Sequence, residues 1–272
     1  MQKLKETINK IERLDFSLMK ETQRRLDNLT KPKGSLGRLE EIAMQIVGIT
    51  KKRNPSLKNK VIFVMAADHG VTEEGVSAYP KEVTSQMIYN FINGGAGINV
   101  LAKHVGAKVI VVDMGTDCKL QISSPNFKDK KINYGTKNMT KGPAMSRDEA
   151  VRAIEAGIEV FEDEVSKGID IVATGDMGIG NTTTSSAIAS CLTGKSVKDL
   201  VGRGTGINDE VFLRKIEVIE KAIKLNQPTS DPIDVLSKVG GFEIGGLVGI
   251  ILSSASKRIP VVLMDLFLEP RH

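Results

Sequence analysis

Apolar residues recur along this chain in two rhythms. Leu4, Ile8, Ile11 and Leu14 stand at helical spacing and predict an amphipathic helix over residues 3–14. Residues 21–35 are polar and close on the breaker cluster KPKGS. Ser35 is placed to cap a second helix through Leu36, Leu39, Ile42, Ala43 and Ile46, so the first 55 or so residues read as a helical lead-in. The pattern then changes. VIFVMAA (61–67), KVIVVDM (108–114), IDIVAT (169–174) and IPVVLMD (259–265) are short continuous apolar runs. Parallel strands buried on both faces read this way. Helical periodicity returns between them, at 81–104, 147–167, 183–193, 208–225 and 243–256. Strands alternating with helices predict an α/β fold, a parallel sheet flanked by helices and wound by right-handed crossovers. Residues 116–145 have no clear period and read as a loop or a short hairpin.

Composition narrows the function. Against 33 acidic residues the chain sets 38 basic ones, dispersed and without a basic block, so nucleic acid is not an expected partner. Cys118 and Cys191 lie far apart and form no CxxC pair, which argues against a disulfide framework or a cysteine-rich zinc site. The start, MQKLKETINK, is charged and lacks the apolar core of a signal peptide. No apolar run approaches the roughly 20 residues that span a bilayer. A cytoplasmic location, with no membrane partner, is expected.

In an open parallel sheet, ligands bind beyond the carboxyl ends of the strands. Each apolar run here ends in an acid or glycine: Asp68-His69-Gly70, Asp113-Met114-Gly115, Gly175-Asp176-Met177-Gly178 and Asp265. The segment GDMGIGNTTTSS (175–186) is the most informative. Glycines after a strand allow close backbone approach, Asn181 and the following threonines suit a helix cap, and the helix start favours an anion such as phosphate. It is neither a Walker loop nor a GxGxxG fingerprint, and a plain turn with a cap remains the competing reading. VGRGTGIND (201–209) is a second glycine loop, with Arg203 inside it and Lys215 in the next helix; a flexible connector is its plainer reading. GGFEIGG (240–246) opens a helix with Glu243 in its first turn, a candidate catalytic acid whose plainer reading is an offset to the helix dipole. His69 could serve as a base, with a hydrogen-bonded structural histidine at a strand end as its plainer reading, and no spacing suggests a metal site.

LTKPKGSLGRLEEIA (29–43), AADHGVTEEGVSAYPKEVTSQMI (66–88), NFINGGAGINVLA (90–102), VVDMGT (111–116), GDMGIGNTTTSSAI (175–188), VGRGTGIND (201–209) and GGFEIGGLVG (240–249) follow one another in this order. Together they closely resemble the nicotinate-nucleotide:5,6-dimethylbenzimidazole phosphoribosyltransferase family of cobalamin biosynthesis, over nearly the whole chain. The resemblance implies transfer of the phosphoribosyl group of nicotinate mononucleotide to 5,6-dimethylbenzimidazole or a related base, giving α-ribazole 5′-phosphate and nicotinate. It implies a Rossmann-like domain, a small helical domain to which residues 1–55 contribute, a homodimer, and no cofactor or metal. It places Gly178, Gly180, Asn181, Thr182, Thr183, Gly202, Gly204 and Lys215 in the nucleotide-phosphate region. Ser77, Tyr79 and Gln86 fall in the acceptor-base region, and Asp176 on the ribose side.

Two departures stand out. The family usually has glutamate where this chain has Asp176. The family also runs on past the last strand into a SHxSAEPGH-like segment whose glutamate serves as the base. Here the chain ends LFLEPRH, and Glu269 lacks that context. The expectation is a Rossmann-like domain over residues 56–272, shortened at its C-terminal end and with little transferase activity as it stands. The competing expectations are a non-catalytic nucleotide- or base-binding homologue, and a different glycosyl or phosphoryl transferase on the same scaffold.

Overall fold

The structure is a computed structural model that describes residues 1–263. Three helices, α1 (Gln2–Asn9), α2 (Phe16–Asp27) and α3 (Arg38–Thr50), precede β1 (Lys60–Ala67). The chain continues through α4 (Val83–Ile92) and α5 (Gly97–Val105) to β2 (Ala107–Gly115) and β3 (Phe127–Asp129). It returns by α6 (Arg147–Val165) to β4 (Ile171–Met177). Five helices follow: α7 (Asn181–Thr193), α8 (Val197–Leu200), α9 (Asp209–Asn226), α10 (Pro232–Val239) and α11 (Phe242–Ser256). The short β5 (Val261–Val262) closes the described chain.

The sheet has the order β3-β2-β1-β4-β5, and every pairing is parallel. The expected α/β architecture is therefore present. β1 shows why its run is uninterruptedly apolar. Val61, Phe63, Met65 and Ala67 enter the core under α6 and α11, while Ile62, Val64 and Ala66 face the opposite side with Ile88 and Ala102 of α4 and α5. Both faces of the sheet are covered, so neither set of alternate residues meets water. On the first side α6 and α11 approach backbone to backbone: a side chain at Gly157 would strike the Gly246 carbonyl, and one at Gly249 the Ile154 carbonyl.

Several expected boundaries move. The 3–14 helix stops at Asn9, leaving Ile11 and Leu14 partly exposed, and α1 instead sends Leu4 into the main core. The polar stretch after residue 14 holds α2, capped by the Asp15 carboxylate, which accepts from the Leu18 N–H at 2.9 Å. Gly37 rather than Ser35 caps α3. The 81–104 stretch is two helices, parted at the glycines 94 and 95. Residues 116–145 contribute one short strand, β3, which the pattern alone did not reveal. Asp265, Glu269 and the end of the fourth apolar run lie outside the described residues. Among those described, no helix is long and apolar enough to cross a membrane.

Candidate active site

The strand order locates the site. From β1 the chain winds outward to β2 and β3, and from β4 it winds the other way to β5, so the crevice opens at the carboxyl ends of β1 and β4. A register shift between Ala66 and Ala67 redirects the end of β1 at this point. Asp68 and His69 follow it, both buried. Asp68 accepts the Asp117 N–H on Oδ2 at 2.9 Å, leaves Oδ1 sealed without a partner, and is raised by burial above the usual carboxylate range. Asp113, at the end of β2, serves its own loop. It accepts the N–H groups of Gly115 and Thr116 and pairs with Lys131 Nζ at 2.8 Å.

The loop from β4 to α7 gathers most of the residues expected around a nucleotide. Gly180, at φ +95°, caps α7 in a conformation that favours glycine. This corrects the expectation that Asn181 is the cap: Asn181 begins the helix, and its amide donates to the Asp176 carboxylate. The first-turn donors are partly engaged, since the N–H groups of Asn181 and Thr183 bond the carbonyls of Gly178 and Gly180 at 3.0 Å. Lys215 reaches in from α9, almost wholly buried, and donates to Thr182 Oγ1 at 2.7 Å and to the Gly202 carbonyl at 3.2 Å. Burial lowers its pKa to about 8. A side chain at Gly204 would crowd Thr182 Oγ1 at 2.8 Å. Thr183 Oγ1 is buried without a hydrogen-bond partner. Thus Gly178, Gly180, Asn181, Thr182, Thr183, Gly202, Gly204 and Lys215 meet at one place, joined by Asp176. Arg203 is turned to its own loop instead, pairing with Asp209 and lying over the Phe212 ring.

Asp176 is pushed up to about 6, first by burial and then by Glu243, against the lowering effects of the Asn181 amide and His69. Glu243 comes from the first turn of α11 and was separately visible in the sequence, as was His69, but nothing in their spacing pairs them. Folded, His69 Nε2 and Glu243 Oε1 lie 2.9 Å apart with both side chains sealed from solvent. The approach is off the line of the ring N–H, so Nε2 and both carboxylate oxygens lack a directed hydrogen bond. His69 Nδ1 lies 3.3 Å from Thr184 Oγ1 on α7. His69 is thus buried at the end of β1, with a carboxylate beside it that the sequence did not pair with it.

A cavity of about 430 Å³ adjoins this rim. Asp68, His69, Ser77, Tyr79, Lys81, Asp117 and Tyr134 are among its walls. The backbone N–H of Ala78 donates to Thr205 Oγ1 at 3.2 Å, tying this wall to the second glycine loop. Ser77 and Tyr79 thus face the same space. Gln86 lies on an exposed face of α4, outside the cavity wall.

A family model described as phosphoribosyltransferase matches residues 11–268. Nicotinate-nucleotide–dimethylbenzimidazole phosphoribosyltransferase of Desulforudis audaxviator is 56% identical over 264 residues, covering 97% of this chain and 74% of that protein. The enzyme of the same name from Geobacter metallireducens is 55% identical with the same coverage. A crystal structure of CobT from Thermus thermophilus superposes with a TM-score of 0.88 at 40% identity, covering 91% of this chain and 74% of that one. The chain spans about three quarters of the length of these relatives. It belongs to the nicotinate-nucleotide–dimethylbenzimidazole phosphoribosyltransferase family.

Proposed function

We propose that this protein transfers the phosphoribosyl group of nicotinate mononucleotide to 5,6-dimethylbenzimidazole or a related base. The observation that carries the reading is the meeting of Lys215, Thr182 and the two glycine loops beside Asp176, at the crevice between β1 and β4. A buried cation beside glycine backbone suits a phosphate dianion. The Asp176 carboxylate is one loop away, where ribose hydroxyls can donate to it. The adjoining cavity, with Ser77 and Tyr79 in its wall, has room for a flat bicyclic acceptor.

In this reading the acceptor nitrogen bonds to the anomeric carbon as the carbon–pyridinium bond breaks. That electron pair returns to the nicotinate nitrogen, and the acceptor's other ring nitrogen gives up its proton, which is released to solvent. The protein's part is to hold the phosphate, orient the ribose and exclude water. The reading includes a cytoplasmic homodimer, supported by apolar side chains left exposed on α2 and α3, Phe16, Leu39 and Ile42 among them. The test is chromatographic detection of α-ribazole 5′-phosphate from the two substrates, with sedimentation velocity for the dimer. Calorimetry showing no binding of either substrate overturns the reading.

A further inference from the structure

We propose that the buried Glu243–His69 pair is a positioning device for Asp176, holding its loop against the end of β1 and supplying the charged surroundings of its carboxylate. Three elements converge on the imidazole. His69 follows β1, Thr184 reaches Nδ1 from α7, and Glu243 reaches Nε2 from α11. The Asp176 loop is packed directly on the ring: a side chain at Gly178 would come within 3.0 Å of Nε2, and one at Gly180 within 3.3 Å of the His69 Cβ. A side chain at Gly241 would collide with both His69 and Glu243. The ring is therefore packed against two glycine segments, where any added side chain would crowd it.

Charge explains why an ion pair occupies this position. A lone buried carboxylate is costly, and the imidazolium offsets it, helped by the start of α11. Burial alone would lower the His69 pKa, but Glu243, Asp68 and Asp176 together outweigh it, and the ring is raised above its ordinary value. Asp176 in turn faces Glu243 from α11, His69 from the end of β1 and the Asn181 amide from α7. Glu243 opposes ionisation of Asp176 and His69 favours it. The pair thus acts on the ribose side of the site through Asp176, while Glu243 lies outside the cavity wall that His69 borders. The kinetic meaning of this rests on the phosphoribosyl-transfer reading; the electrostatic coupling does not.

Two measurements test it. The protein has only three histidines, so the His69 ring can be followed by nuclear magnetic resonance through a pH titration. Asp176→Asn should lower its midpoint by roughly half to one pH unit, the effect of removing one nearby charge. An unmoved midpoint in the folded variant overturns the proposal. Second, nicotinate mononucleotide affinity is measured against pH for the wild type and Glu243→Gln. Ionisation of the nucleotide phosphate is common to both and cancels. The acid limb should move to lower pH, because Glu243 acts on Asp176 more strongly than the His69 charge it sustains, with the plateau affinity kept within about threefold. A loss uniform across pH, with the limb unmoved, shows a purely structural pair and overturns it. If Glu243→Gln does not fold, the first measurement decides alone. If the wild type binds no nucleotide, the functional reading fails while the histidine titration still judges the coupling.

Discussion

Lys215 Nζ lies 2.7 Å from Thr182 Oγ1, so a nearly sealed cation on α9 is fastened to the first turn of α7 across two glycine loops. The arrangement leaves an ammonium at a helix start without a carboxylate partner among the described ion pairs. Its lowered pKa, about 8, is the expected cost of that burial. A phosphate placed here would restore the missing counter-charge. The cluster is preorganised because Thr182 and the Gly202 carbonyl hold the ammonium in place before any ligand arrives.

Lys215→Met should therefore weaken nicotinate mononucleotide binding by roughly 10–100-fold, the worth of a charge-assisted contact, and leave the dephosphorylated riboside nearly unaffected. In the wild type, nucleotide affinity should fall as pH rises through about 8, where the ammonium loses its proton. The ligand-free protein should move the other way. Between about 8 and the ordinary lysine pKa, the unfolded chain holds a proton the folded one has released, so stability rises with pH. Calorimetry and urea melts across pH 7–10 check both signs; equal losses for nucleotide and riboside would place the phosphate elsewhere.

Asp176 should destabilise the fold at neutral pH. Its folded pKa of about 6 exceeds the ordinary 3.8, so between these values the folded protein binds a proton the unfolded chain does not. Stability then falls as pH rises through the window. Asp176→Asn removes the penalty, and the Asn side-chain oxygen can still accept from Asn181. The variant should be more stable at pH 7 by on the order of 2–3 kcal/mol, with no gain near pH 3.5. Turnover should drop at the same time. A gain of equal size at both pH values would refute the burial account of Asp176.

The proposal that the acceptor occupies the cavity beside Tyr79 predicts a split between two residues of one segment. Tyr79 is in the cavity wall and Gln86 is outside it. Tyr79→Ala should weaken 5,6-dimethylbenzimidazole binding by about tenfold through lost ring contact, whereas Gln86→Ala should change it less. Nucleotide affinity should be unchanged in both. A larger effect at Gln86 would mean that the acceptor lies along α4 instead.

Gly157→Ala should destabilise the fold, because the added methyl meets the Gly246 carbonyl, which belongs to a helix backbone and cannot rotate away. Overpacking of this kind costs about 1–3 kcal/mol. The urea midpoint should fall accordingly. Glycine-to-alanine substitution in an exposed helix usually stabilises, so a rise in the midpoint would show that α6 and α11 are not in backbone contact.

How far the sequence alone reached depended on whether neighbours along the chain supplied the physics. The runs at 61–67, 108–114 and 169–174 are apolar because both faces of a parallel strand are covered, and each did become a strand. The glycine loops and the place of Lys215 in the helix after the second of them were legible for the same reason: turn chemistry and helix starts are written in adjacent residues. β3 was not legible, since a three-residue strand has no period to detect and exists only because the end of β2 is there to pair with. α2 was hidden by its polarity and is held by packing against α3. The cap of α7 shifted from Asn181 to Gly180 because the Asn181 amide found Asp176 across the loop. The ion pair of His69 and Glu243 was beyond any local reading: one residue follows β1, the other opens α11, and each has an ordinary explanation by itself. Only crossover winding that stacks α11 beside β1 brings them within 2.9 Å, and only burial there makes their charges matter to Asp176.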